Sequence, residues 1–288
     1  MRFLTTATLT AAFFALPLQA QDSHPDANRI ASVGGAVTEI IYELGEEHRL
    51  VARDTTSVYP PAVHDLPDVG YMRRLSPEGV LSVNPDLVLT EPGSGPQETI
   101  DILTEAGVPF VPVPGGYSTQ GILDRITSVS TVLGVPEKGA ELAERIGAEL
   151  ATVEAMAAER AGDAKPRVLF VLSMPGGRLN VGGLNTRGDG IIKMAGAENA
   201  IQVFEEYRTL SDEAIIELAP DAILMMAPRG DHSTSTEDIL AHPAVALTPA
   251  GQNAKVIRID GTLLLGFGPR AAQGVQLLAE ALYGGGEG

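Results

Sequence analysis

Short apolar runs alternate along this chain with stretches whose apolar residues recur three and four positions apart. Arg29–Val33 opens into Gly34-Gly35, after which Val37, Ile40, Ile41 and Leu44 fall on one helical face before Gly45. That pattern predicts strand, turn and helix. Leu50–Ala52 and Leu87–Thr90 read as further strands, Ile100–Ala106 as a helix ending at Gly107, Val108–Val113 as a strand and Ile122–Leu133 as a helix stopped by Gly134-Val135-Pro136. After an interruption the alternation resumes with strands at Arg167–Leu172, Ala222–Met226 and Lys255–Ile259, a helix at Ile191–Ala195 and a closing helix over Arg270–Leu282. Strands alternating with helices at this spacing call for parallel sheets.

The interruption is Glu137–Gly162, dominated by Ala, Glu and Leu and free of strong turn signals, and it predicts one long helix. At 1.5 Å per residue it would reach about 39 Å, the width of a domain. The segment Leu75–Leu89 lines up without a gap on Leu210–Leu224, always 135 residues apart, and Leu, Ser, Glu, Pro, Asp and Leu recur at matching places. In each copy a Ser precedes a helix, Glu follows two residues on, and Pro-Asp turns into a buried strand. The predicted fold is therefore α/β, with two Rossmann-like lobes built on parallel sheets and joined by a single long α-helix. Residues 21–136 form the first lobe, 137–162 the linker helix and 163–288 the second lobe.

Composition narrows the function classes. The 37 acids against 20 Lys and Arg give a net charge of −17, a field that repels nucleic acid and anionic membrane surfaces. With Cys 0 there are no disulfides, thiolate metal sites or thiol nucleophiles. Arg2 precedes an apolar, uncharged run from Phe3 to Leu18, followed by Gln19 and the small residue Ala20. Residues 1–20 read as a secretory signal peptide cleaved after about Ala20, and no other stretch approaches the ~20 apolar residues a membrane span needs. Export to the periplasm, without membrane insertion, is the expectation.

Two α/β lobes joined by one helix behind a signal peptide resemble the helical-linker class of periplasmic substrate-binding proteins that feed ABC importers of iron compounds and cobalamin. Within that class, Gly70–Ser82 (GYMRRLSPEGVLS) is similar to the segment of haem-binding members whose Tyr ligates haem iron. Glu206–Ser211 (EYRTLS) resembles the corresponding segment of their second lobe, and Gly266–Arg270 (GFGPR) the start of their closing helix. The resemblance spans residues 29 to 284. It implies a monomeric carrier, not an enzyme, that takes ferric haem b as cargo to the permease dimer of an inner-membrane ABC importer.

Carried onto this sequence, the resemblance makes Tyr71 the iron ligand, which suits a hard ferric ion and an anionic phenolate oxygen. A free phenol has a pKa of ~10, so the metal and nearby positive charge must favour the phenolate. Arg73, two residues on, would share a side with Tyr71 if the loop runs extended, leaving Arg74 for a propionate or solvent. The plain alternative is a loop tyrosine packed on the lobe surface. Tyr207 is then a second axial ligand, a propionate partner, a ligand of a second haem or a packing residue, and Arg208 pairs with a propionate or stays solvated. Some members carry a His after the first strand of the second lobe. Here that stretch holds Met174, which would approach the iron or pack on the porphyrin. The Gly-rich loop Gly182–Gly190 lacks nucleotide-cradle order, so Asn185, Thr186 or Arg187 would instead meet a ligand carboxylate. Glu78 and Glu213 match the family's importer-docking positions and are equally first-turn acids stabilised by a helix dipole. His48, His64, His232 and His242 are isolated, read as exposed, and lack the spacing of a zinc site. The competing functions are a ferric-siderophore or cobalamin carrier and, in the enzyme class, a haem-degrading enzyme, for which no proximal His or acid–base pair stands out.

Overall fold

A computed structural model of the chain describes residues 23–163, 165–228 and 234–284. The signal-peptide reading of residues 1–20 and His232 lie outside the described residues. The chain runs β1 (Ile30–Val33), α1 (Gly35–Glu43), β2 (Leu50–Arg53), α2 (Pro77–Leu81), β3 (Leu87–Thr90), α3 (Gln97–Glu105), β4 (Phe110–Pro112) and α4 (Thr119–Val132) into the long helix α5 (Pro136–Ala161). It continues through β5 (Arg167–Ser173), β6 (Asn180–Gly182), α6 (Arg187–Met194), β7 (Glu198–Asn199), β8 (Tyr207–Thr209), α7 (Asp212–Leu218) and β9 (Ala222–Met226). Three short helices follow, α8 (Thr236–Leu240), α9 (Pro243–Ala246) and α10 (Pro249–Gln252), and then β10 (Val256–Ile259), α11 (Gly261–Leu265) and α12 (Ala271–Tyr283).

The first sheet has the order β2-β1-β3-β4 and is parallel throughout. The second repeats that plan, with β10-β9-β5 parallel and β7 beside β5. It departs from the all-parallel expectation where β6 pairs antiparallel with β5, and β8 with β6. These strands are only three residues long, too short for periodicity to announce.

The repeat is visible atom by atom. Ser76 caps α2 by accepting from Gly79 N–H at 3.0 Å, and Ser211 caps α7 by accepting from Ala214 N–H at 3.3 Å. Asn84 and Ala219 both turn with positive φ, 49° and 43°. Asp86 then accepts from the backbone N–H groups of Asn28 and Arg29 at 2.9 and 3.0 Å, and Asp221 from that of Arg167 at 2.8 Å. Each aspartate thereby fixes the register of its strand against the first strand of its lobe.

Helix α5 buries Leu142, Ile146, Leu150, Ala157 and Ala161, one stripe at helical spacing, against α4 on one side and α12 on the other. The largest apolar cluster consequently runs unbroken from Ile30 and Ile40 through Ile126 and Leu150 to Phe170, Phe267 and Val275. Separate clusters fill the outer face of each sheet, around Val88 in the first lobe and Ile223 in the second.

Candidate functional site

Tyr71 stands on the segment between β2 and α2. Val69 N–H donates to Arg53 O at 2.9 Å and Thr55 N–H to Gly70 O at 3.0 Å, which ties the incoming chain to the end of β2. Gly95 donates to Met72 O and accepts from Leu75 N–H, both at 2.9 Å. Met72 and Leu75 are buried, so the apolar residues anchor the segment and leave Tyr71, Arg73 and Arg74 facing out. The Tyr71 side chain, 42% exposed, is not sealed inside the lobe.

The local backbone corrects the extended-chain expectation. Met72–Arg74 is a 3₁₀ turn closed by Arg74 N–H donating to Tyr71 O at 2.7 Å. Tyr71 itself, at φ −78° and ψ 131°, stays extended just ahead of the turn, so the side-by-side placement of Arg73 and Tyr71 expected of an extended loop ends there. The Arg73 charge acts on Tyr207 of the second lobe.

Tyr207 lies on β8 directly opposite Gly182 of β6. Only glycine leaves the phenol this berth: a Cβ at 182 would meet Thr186 Oγ1 at 2.9 Å, Phe170 Cδ1 at 3.0 Å and Tyr207 Cε1 at 3.4 Å. The ring packs edge-on against Phe170, centroids 6.4 Å apart. Burial pushes the Tyr207 phenol up, against the pull of the Arg187 and Arg73 charges and a hydrogen bond with Thr186. Without a metal it is therefore a neutral hydroxyl at pH 7. Asn185 lines a cleft of about 450 Å³ with Tyr117 and Ser118 of the first lobe and Thr186 and Lys193 of the second.

Two expected ligand contacts are not brought to this side. Successive residues of a strand face opposite ways. Arg208 accordingly sets its guanidinium 4.8 Å over the Phe204 ring, away from Tyr207. Met174 packs with the cluster of Leu169, Val171 and Leu179, on the face of β5 opposite Phe170. Glu78 and Glu213 are exposed in the first turns of α2 and α7. The Glu213 carboxyl is held below the usual carboxylate range by its own backbone N–H and the Ser211 hydroxyl. His242 is not the exposed residue its neighbours suggested: its Nε2 is 3.0 Å from Gly177 O and its Nδ1 is buried. Among the described residues no three His, Asp or Glu gather into a metal site.

The largest gap in the sequence reading is the floor between the lobes. Arg187, read there as a ligand contact, reaches Glu91 Oε2 of the first lobe at 2.5 Å and Leu265 O at 2.5 Å, with its Cζ 5.3 Å from the Tyr117 ring. Arg270 grips Glu39 through two bonds of 2.5 and 3.0 Å, its Cζ 3.7 Å over the Tyr59 ring. Each arginine of the second lobe thus enters a Glu–Tyr socket of the first. Arg125, fully buried on α4, crosses the other way and donates to Phe267 O at 2.6 Å. Helix α6 approaches so closely that a Cβ at Gly190 would stand 2.3 Å from Tyr117 O. A signal existed: Glu39 interrupts an apolar helix face and Glu91 directly follows an apolar strand, and buried acids require partners.

Comparison with known proteins sharpens this picture. The pattern of a family described as "Periplasmic binding protein" matches residues 30–263. Among solved structures, the chain is similar to the periplasmic heme-binding protein BhuT in complex with two hemes, 37% identical, with a TM-score of 0.84 over 89% of this chain and 98% of that one. It is also similar to the periplasmic heme-binding protein RhuT from Roseiflexus sp. RS-1, 36% identical, TM-score 0.83, covering 90% of this chain and 98% of that one. Among sequence relatives are an uncharacterized ABC transporter substrate-binding lipoprotein of Bacillus subtilis, 26% identical over 88% of this chain and 80% of the relative. A vitamin B12-binding protein of Vibrio campbellii is 28% identical over 73% of this chain and 76% of the relative.

Proposed function

The chain belongs to the periplasmic binding protein family, and we propose that it is an exported carrier of ferric haem that delivers its cargo to the permease dimer of an ABC importer. The observation that supports the reading is an exposed Tyr71 on the first lobe, followed by the exposed Arg73 and Arg74, together with the action of the Arg73 charge on Tyr207 of the second lobe. In this reading Tyr71 ligates the iron through its phenol oxygen, and Arg73, Arg74 and Asn185 receive the propionates. Tyr207 serves as a neutral hydrogen-bond donor or second oxygen toward the same ligand. Glu78 and Glu213 dock the two permease subunits.

The guanidiniums favour an anionic cargo. In a chain of net charge −17, the exposed Arg73 acts on Tyr207 of the second lobe, and Arg187, paired with Glu91, stands on the floor between the lobes. Ferric haem, with two propionates, suits that field better than a cobalamin without free carboxylates.

Titration of the purified protein with hemin tests the reading. We expect a Soret band with the charge-transfer bands of tyrosinate-bound ferric haem, and Tyr71→Ala to lose at least ~30-fold in affinity together with those bands, on the scale of about 2 kcal/mol. Hemin binding unchanged in Tyr71→Ala would remove Tyr71 as the ligand. Retention of cyanocobalamin through gel filtration, with no hemin spectrum, would transfer the chain to the cobalamin carriers.

A further inference from the structure

Position by position, the repeated segment exposes more than its two glutamates. In the first copy Glu78 is exposed, Val80 is buried and Leu81 is 36% exposed; in the second, Glu213 is exposed, Ile215 is buried and Ile216 is 42% exposed. Each pair of matching positions is 135 residues apart. Residues three apart on a helix are neighbours on one face, so each lobe presents an acid with a large aliphatic side chain beside it. A single exposed aliphatic residue is ordinary on a soluble protein. The same acid–aliphatic pair on equivalent helices of both lobes is not explained by the core, which in each copy is filled by the residue just before the aliphatic one.

We propose that Leu81 and Ile216 are apolar anchors of the importer-docking surface, each seated in a hollow beside the cation that receives the neighbouring glutamate. Two equivalent acid–aliphatic pairs on one chain fit a partner with two equivalent faces, that is, a twofold-symmetric one. Charge selects the same partner: Glu78 and Glu213 call for cations, and an acidic chain is repelled by an anionic lipid surface. The exposed part of each aliphatic residue, desolvated at the centre of its contact, supplies the affinity while the glutamates orient the approach. This inference rests on the carrier reading but not on the identity of the cargo.

The experiment uses the full mature chain and the chain's own importer, permease dimer with its ATPase subunits, in proteoliposomes, and measures ATP hydrolysis against carrier concentration. Leu81→Ser with Ile216→Ser is expected to raise the half-maximal concentration at least tenfold, and each single substitution about threefold. Hemin titration and the melting temperature of the variants should match those of the unsubstituted chain, since both side chains lie outside the cleft. Leu277→Ser and Val203→Ser, exposed aliphatic positions without a counterpart in the other lobe, should leave the half-maximal concentration unchanged. A double variant that stimulates hydrolysis at the original concentration would overturn the proposal, as would an equal loss in the two control variants. Binding to protein-free vesicles of the same lipids that disappears in the double variant would also overturn it, assigning the pair to a membrane surface. Failure of hemin binding with docking intact would sink the cargo assignment alone.

Discussion

The two copies of the repeat share a scaffold and diverge at the tyrosine that precedes it. Serine cap, left-handed turn and strand-fixing aspartate coincide in both. Yet Tyr71 is exposed just ahead of a 3₁₀ turn that carries two arginines, whereas Tyr207 is built into an edge strand, against Phe170 and beneath a berth left by Gly182. One scaffold thus offers an exposed phenol followed by two arginines in the first lobe and, in the second, a phenol that burial keeps neutral. The difference teaches that duplication fixes where a side chain is presented, and the local strand or turn decides its chemistry.

Three sets of substitutions would break or sharpen that comparison. The largest effect is expected where the lobes meet. Arg187→Ala leaves Glu91 buried without its cation and should destabilise the chain by about 3 kcal/mol, measured by urea unfolding. Glu91→Gln with Arg187→Met, which removes both charges, should recover most of that loss. A single variant as stable as the original would show that the socket carries no weight. Next come the strand-fixing aspartates: Asp86→Ala frees two backbone N–H groups and Asp221→Ala one, so the first should cost about 2 kcal/mol and the second about 1 kcal/mol. Equal losses would mean that the aspartates do not act through these bonds. The smallest effect belongs to the caps, where Ser76→Ala and Ser211→Ala should each cost about 1 kcal/mol or less. A much larger loss at one of them would break the equivalence of the two helices.

Much of the fold was legible because its causes are local. Glycine and proline stops bounded α4 and α5, and the repeat disclosed that β3 and β9, with their capped helices, are one design used twice. Strands β6 and β8 were not legible, since three residues hold too little pattern, and with them went the facing of Tyr207 and Arg208. For the candidate site the sequence offered residue types and not their directions. Tyr71 and its arginines were singled out by their motif, but the 3₁₀ turn over Met72–Arg74 has no spacing signature, and Met174 shows its apolar destination only once β5 has two packed faces.

The sequence by itself determined the α/β alternation, the long helix, the doubled segment and the net charge of −17, because each follows from residues near one another or from composition alone. Only the tertiary structure decided how the halves grip each other. Arg270 and Glu39 are 231 residues apart, and Arg187 and Glu91 are 96. No local pattern pairs such residues; they meet because an apolar core packed around α5 brings two sheets together and leaves each buried acid one guanidinium within reach.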